Sequence, residues 1–155
     1  MSPSLQSEIK QSKPFPRPSA EAFLSILRTA AVLDHHLGEV LRPHGVTTTQ
    51  YNVLRILRGA GRQGLCGREI AERLVSKVPD VSRLLDRMED LGLILRERDP
   101  DDRRHVTARI SDKGLRLLDK TSPALEAVET ARFGRLSVEA IDALIDALSD
   151  VRNSG

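Results

Sequence analysis

The chain has 155 residues, of which 39% are hydrophobic and 30% are charged, a balance typical of one folded domain with its own core. Cys66 is the only cysteine, which excludes an intramolecular disulfide framework. No apolar run approaches the roughly 20 residues of a membrane span, and the N-terminus lacks the apolar centre of a signal peptide. We therefore expect a cytoplasmic protein with no membrane partner.

The net charge of +2 is unevenly distributed along the chain. From Thr121 onward there are three Lys/Arg and six Asp/Glu, or −3, so the first 120 residues carry +5. Aromatic residues are only 3% of the chain, whereas proteins that grip single-stranded nucleic acid or RNA loops stack bases on aromatic side chains. The composition therefore disfavours those two partners.

The N-terminal part of the chain predicts an arm and two helices. Residues 1–18 are rich in Ser, Pro and Lys and are expected to form a flexible arm. Ser19 is predicted to cap a helix with an apolar stripe that ends at Arg42-Pro43. A second helix follows the Thr47–Thr49 caps and stops at the glycines of residues 59–61.

The middle of the chain predicts a short helix, a turn, an amphipathic helix and a hairpin. These elements are expected at residues 70–74, 75–79, 78–91 and, for the two strands, 93–98 and 105–110. Pro79 then falls in the first turn of the amphipathic helix, where its missing donor costs little.

Two further helices are predicted at the C-terminal end. Ser111 is expected to cap the first, Pro123 to interrupt or kink it, and Ser137 to cap the last, whose apolar stripe runs to Val151. The predicted fold class is thus mainly α with a small two-stranded β wing.

The order of the middle elements describes a winged helix-turn-helix. A B-DNA major groove admits one helix, which needs an apolar back for anchoring and a polar front for reading bases. The apolar back comprises Val81, Leu84, Leu85 and Met88. On the front or flanks lie Lys77, Pro79, Ser82, Arg83 and Arg87, and the first turn of such a helix enters the groove.

The predicted hairpin turn carries two adjacent arginines, Arg103 and Arg104. A narrow minor groove concentrates negative potential and attracts arginine, and Asp102 is close enough to orient Arg104 by a charge-assisted pair. From Ser76 to Arg109 there are eight Lys/Arg and eight Asp/Glu, so placement of the arginines, and not local net charge, predicts binding to double-stranded DNA.

Three segments resemble the MarR family of bacterial transcription regulators. They are IAERL (70–74), VSRLLDRMEDLGLI (81–94) and DPDDRRHVTARISDKG (99–114). In the third, Asp102 and Arg104 fill the family's Asp-x-Arg, Ile110 and Ser111 stand in for its Leu-Thr, and Gly114 fills its glycine.

The resemblance implies a dimeric repressor with a winged helix-turn-helix lobe at 45–111 and dimerisation helices at 19–44 and 112–152. A homodimer would read a pseudo-palindromic operator, with half-sites about one helical turn apart. The resemblance also implies release by a small, often aromatic or phenolic, ligand. Candidate effector-binding residues are His35, His36, Tyr51 and Arg55.

The sequence offers little for an enzyme active site or a metal site. The sequence contains no Gly-rich phosphate loop, no G-x-S-x-G motif and no paired carboxylates with a nearby base, so it indicates neither an enzyme nor a cofactor. His35 and His36 are helix neighbours pointing about 100° apart, a poor metal chelate. Arg87 could instead pair with Asp90 or the wing base.

Two alternative functions stay open. The winged helix could bind protein and not DNA, as a scaffold or assembly module. Separately, Arg103 and Arg104 could form a charged turn that only resists pairing at the sheet edge. Cys66, just before a helix, could sense oxidants, because a thiol at a helix N-terminus can be activated; the competing interpretation is a small, partly buried residue.

Overall fold

The computed structural model describes residues 3–155. Over these residues the chain forms seven α-helices, three β-strands and two short 3-10 turns. The α-helices are α1 (Leu5–Glu8), α2 (Pro18–Leu41), α3 (Thr48–Ala60), α4 (Gly67–Arg73), α5 (Val81–Asp90), α6 (Asp112–Phe133) and α7 (Val138–Asn153). The strands are β1 (Leu65–Cys66), β2 (Ile94–Arg98) and β3 (Val106–Ile110). The predicted mainly helical architecture with a β wing is confirmed.

Polar side chains begin three of these helices, as predicted. Thr47 caps α3 in a reciprocal box with Gln50, an arrangement that satisfies two otherwise free backbone donors. The hydroxyl of Ser111 accepts a hydrogen bond from the Gly114 N–H of α6 at 3.1 Å, and Ser137 accepts one from the third residue of α7.

Three predictions about helix starts and breaks were wrong. Helix α2 begins at Pro18, whose fixed φ suits the first helical position, so Ser19 is not its cap. Helix α5 begins at Val81 after an Asp80 cap, which leaves Pro79 ahead of the helix. Helix α6 continues through Pro123, so the predicted interruption is wrong, and the alternative, a kink at Pro123, stays a prediction. The predicted flexible arm contains the short helix α1.

The strands form one antiparallel sheet in the order β1-β3-β2. The predicted hairpin pairs Ile94 with Ile110 and Arg98 with Val106. The sequence did not predict β1, which pairs Leu65 with Ala108 on the other edge of β3. Gly64 makes this approach possible, because a Cβ there would clash with the Ala108 carbonyl oxygen.

One apolar core joins the helix-turn-helix to the sheet and to α6. Its fully buried side chains come from α2, α3, α4, α5, α6, the start of β2 and the residue just before β2. They include Leu41, Leu54, Leu57, Ile70, Met88, Leu93, Ile94 and Leu118. The first turn of α6 also packs tightly, because a Cβ at Gly114 would lie 2.5 Å from the Leu93 carbonyl oxygen. The wing and α5 are therefore held against a common support.

Within residues 3–155, no helix is both long and apolar enough to cross a membrane.

Candidate nucleic-acid interface

Helix α5 has one buried face and one exposed face. Leu85 and Met88 are buried in the core, and Val81 and Leu84 are half-buried against it. Ser82, Arg83 and Arg87 are exposed on the other side. This division matches the predicted anchor and reading face, and it leaves the polar side free to meet another molecule.

The turn before α5 is fixed by a side chain of α3. The Val75 N–H donates to the Asn52 side-chain oxygen at 2.9 Å, which ties the helix-turn-helix turn to the preceding helix. Lys77 and Pro79 follow on the exposed part of the same turn. Sequence reasoning missed Asn52, because no local pattern connects residues 23 positions apart.

Six of the eight predicted DNA-contacting residues line two concavities, one on each side of α5, and Asp102 and Arg103 line neither. A cavity of about 570 Å³ lies at the helix start, beside the start of α3. Its lining includes Lys77, Pro79, Asp80, Arg83 and Arg87. A second, of about 780 Å³, lies between α4, α5 and the wing, and Ser82 and Arg104 both line it. The reading face is thus flanked by cationic side chains on both sides.

The hairpin tip is a β-turn centred on the two arginines. The His105 N–H donates to the Asp102 carbonyl oxygen at 2.9 Å, so Arg103 and Arg104 occupy the two central positions, and both are exposed. The Asp102 carboxylate accepts from the Arg104 backbone N–H at 3.0 Å. Asp102 therefore shapes the turn through the backbone, and the expected charge pair with the Arg104 side chain was wrong.

Arg96 connects the wing to α5. Its guanidinium donates to Asp86 at 2.5 Å and to Glu89 at 3.0 Å. The hydrogen bond from Arg96 lowers the pKa of the Glu89 carboxyl, and the same bond raises the pKa of Arg96. Among the described residues Arg87 has no ion-pair partner, so the alternative in which Arg87 pairs with Asp90 or the wing base was wrong. Sequence reasoning missed Arg96.

Cys66 is the N-cap of α4 and is partly buried. Its backbone N–H donates to the Glu69 carboxylate at 2.9 Å, a contact that lowers the pKa of Glu69. Cys66 therefore helps to fix the start of α4 through its backbone.

The four predicted effector-binding residues do not form one cluster. Tyr51 and Arg55 line a cavity of about 520 Å³ next to Val75, and they also line one of about 480 Å³ facing α6. His35 lines a separate depression near Arg42. The His36 ring contacts the Arg132 guanidinium. In the described part of the chain, no group of three or more His, Cys, Asp or Glu is arranged to hold a metal ion.

Comparison with known proteins identifies the family. A model described as the MarR family matches residues 46–106. The uncharacterised HTH-type transcriptional regulator YkoM of Bacillus subtilis is 34% identical over 141 residues, which cover 90% of this chain and 85% of YkoM. The HTH-type transcriptional regulator MhqR of the same organism is 26% identical over 133 residues, which cover 86% of this chain and 90% of MhqR.

Solved structures give the same result. A MarR transcription factor from Planctomyces limnophilus has a TM-score of 0.68 at 32% identity, covering 88% of this chain and 98% of that one. Sco3205, a MarR family regulator from Streptomyces coelicolor solved in complex with DNA, has a TM-score of 0.78 at 26% identity. The match covers 93% of this chain and 92% of Sco3205. These relatives are regulators and not enzymes, as the sequence indicated. The chain belongs to the MarR family of helix-turn-helix transcription regulators.

Proposed function

We propose that the protein binds double-stranded DNA in a sequence-specific manner, with α5 in the major groove and the wing turn in the adjacent minor groove. The observation that carries this proposal is the pairing of two features. The exposed face of α5 presents Ser82, Arg83 and Arg87, and Arg96 holds that helix to the strand whose hairpin ends in Arg103 and Arg104. A helix and an arginine-tipped turn in one rigid lobe suit two neighbouring grooves.

The DNA-binding protein is proposed to be a homodimer built on residues 19–44 and 112–152, with 45–111 as the DNA-binding lobe. Helix α7 has no buried residue within the described protomer, although its stripe is apolar. Phe23 and Leu27 on α2 are 64% and 54% exposed, and Ile145 on α7 is 56% exposed. Apolar surface of this extent on a small chain supports a partner, and a second copy would cover both stripes.

Two-fold symmetry in turn supports a pseudo-palindromic operator with one half-site for each α5. Sedimentation measures the assembly directly. We expect a dimer for the parent and a monomer, still folded by circular dichroism, for Ile145→Glu.

The regulator is proposed to act as a repressor released by a small aromatic or phenolic ligand. Tyr51 and Arg55 line the cavity of about 520 Å³ that also includes Asn52 and Val75, the two residues joined by the hydrogen bond that fixes the turn before α5. A ligand here could shift that turn, which would move the population away from the DNA-competent arrangement. A phenol that releases the parent from DNA should fail with Arg55→Ala, and His36→Ala should respond as the parent does.

The deciding experiment is binding to duplexes from around the protein's own gene, compared with an unrelated duplex, across a salt series. Specific binding through phosphates predicts preference for one fragment and a steep loss of affinity with salt. A protein-interaction module would show neither. A flat salt response without fragment preference would replace this proposal with that alternative.

A further inference from the structure

We propose that Asp80 is a specificity-determining residue that reads a cytosine in each half-site. This inference rests on the proposed DNA binding by α5. Asp80 precedes the helix as its N-cap, and one carboxylate oxygen accepts from the Arg83 N–H at 3.0 Å. No other donor among the described residues contacts that carboxylate, and the side chain is exposed. The second oxygen is therefore available to a ligand.

The position of Asp80 differs from that of the other acids next to α5. Asp86 and Glu89 are held by Arg96 on the side of the helix that meets the wing. Asp80 instead lines the cavity at the helix start with Arg83 and Arg87. Residues at spacings of three and seven share one helix face, so the carboxylate lies at the head of the arginine stripe. The N-terminal residues of a recognition helix are the ones that contact base edges.

The chemistry of a carboxylate selects its partner. An ionised Asp only accepts hydrogen bonds, and the major groove offers it two amines, cytosine N4 and adenine N6. The adenine amine lies beside the N7 acceptor of the same base, which repels a carboxylate, so cytosine is the partner that suits Asp80. Near guanine or thymine acceptors, and near phosphates, the same charge is repelled. Helix capping alone does not require this charge, because serine or asparagine caps a helix about as well. A carboxylate here therefore lowers non-specific affinity and favours the sites that offer an amine.

The spacing also predicts where the cytosine lies. Arg83 lies three residues after Asp80, about 4.5 Å along the axis, which is close to the base-pair rise of about 3.4 Å. Arginine is the usual partner of guanine in the major groove. We therefore expect the cytosine contacted by Asp80 to belong to the base pair next to a guanine contacted by Arg83.

The test is selection from a library of randomised duplexes by the full-length protein, followed by affinities for the selected site and its single-base variants. Asp80→Asn keeps the capping oxygen and replaces the free acceptor by a donor. Asp90→Asn makes the same charge change at the far end of α5, about 15 Å away along the axis. Asp80→Ser supplies a second capping variant without the charge.

The expected result is a cytosine at one position of the parent site, with a preference of about 5- to 150-fold over the other bases. Asp80→Asn and Asp80→Ser should lose that preference and bind unrelated duplexes more tightly, and Asp90→Asn should keep the parent preference. An unchanged selected site in both Asp80 variants would overturn the inference and leave the proposed function intact. A parent that selects no site would overturn the proposed function and, with it, this inference.

Discussion

Removing the Arg96 guanidinium tests how the wing and the recognition helix are held together. Arg96→Met keeps most of the aliphatic length and eliminates both ion pairs, to Asp86 at 2.5 Å and to Glu89 at 3.0 Å. The Arg96 side chain is 21% exposed, whereas those of Asp86 and Glu89 are 60% and 41% exposed. Both acids can therefore be rehydrated after the substitution, which limits the loss.

The expected loss of unfolding free energy lies between that of an exposed ion pair and that of a hydrogen bond to a charged group. Exposed ion pairs contribute about 0.2–1 kcal/mol, and hydrogen bonds to charged groups about 1.5–3 kcal/mol. We expect Arg96→Met to lower the free energy of unfolding by about 1–2 kcal/mol, between those two ranges. Arg68→Met is the matched control, because Arg68 forms one ion pair, with Glu72, and the two side chains are 87% and 63% exposed. This variant should lose less than about 0.5 kcal/mol of unfolding free energy.

The assay is urea unfolding of parent and variants at several pH values. Glu89 has a folded-state pKa below its ordinary value of 4.5 because Arg96 donates to it. The ionised Glu89 carboxylate therefore contributes to the free energy of unfolding above its unfolded-state pKa. That contribution is lost as pH falls through the folded-state pKa. The gap between parent and Arg96→Met should narrow as the pH falls from neutral to below that folded-state pKa. A gap that stays constant with pH, or a zero coupling energy in the double-mutant cycle with Glu89→Gln, would refute this reasoning.

Three further outcomes follow from single contacts. Gly114→Ala should destabilise the fold by about 1–3 kcal/mol in a thermal melt, as overpacked core sites do, since its Cβ would lie 2.5 Å from a backbone oxygen. Gly67→Ala should be tolerated, because the nearest atom to its Cβ lies at 3.8 Å. Asp80→Ala should lose about 1 kcal/mol of unfolding free energy with its helix cap, and Asp80→Asn should retain it. Cys66→Ser should keep the stability of the parent, because serine is a good cap. Peroxide treatment should leave the parent and the variant with equal affinities for DNA. Loss of DNA binding after peroxide in the parent alone would instead support the redox alternative.

Local chemistry explains which parts of the fold the sequence could predict. The caps at Thr47, Ser111 and Ser137 act on residues three positions away, so a short window of sequence contains the whole interaction. The start of α5 was placed too early because Pro79 fits a first helical turn as well as the position before a cap. Here the Asp80 side chain decided the boundary.

The missed features all depend on distant partners. Strand β1 has only two residues, and it exists because Leu65 meets Ala108 across the sheet. In the sequence, Arg96 looks like any other charged residue of a strand. Its ion pairs with α5 form only because β2 packs beside that helix. Residue type alone predicts the four effector-binding residues, whereas the packing of α2 against α3 and α6 places the histidines apart from Tyr51 and Arg55.

The most direct test of the proposed function is the salt dependence of duplex binding by the parent, Arg104→Ala and Arg135→Ala. Arg104 is at the centre of the wing turn, and Arg135 is an exposed arginine beyond the far end of α6, a helix of 22 residues that spans about 33 Å. We predict that Arg104→Ala weakens binding about tenfold and reduces the salt slope by about one per half-site, and that Arg135→Ala matches the parent. Equal affinities and slopes for all three proteins would contradict the assignment of the wing turn as a DNA contact.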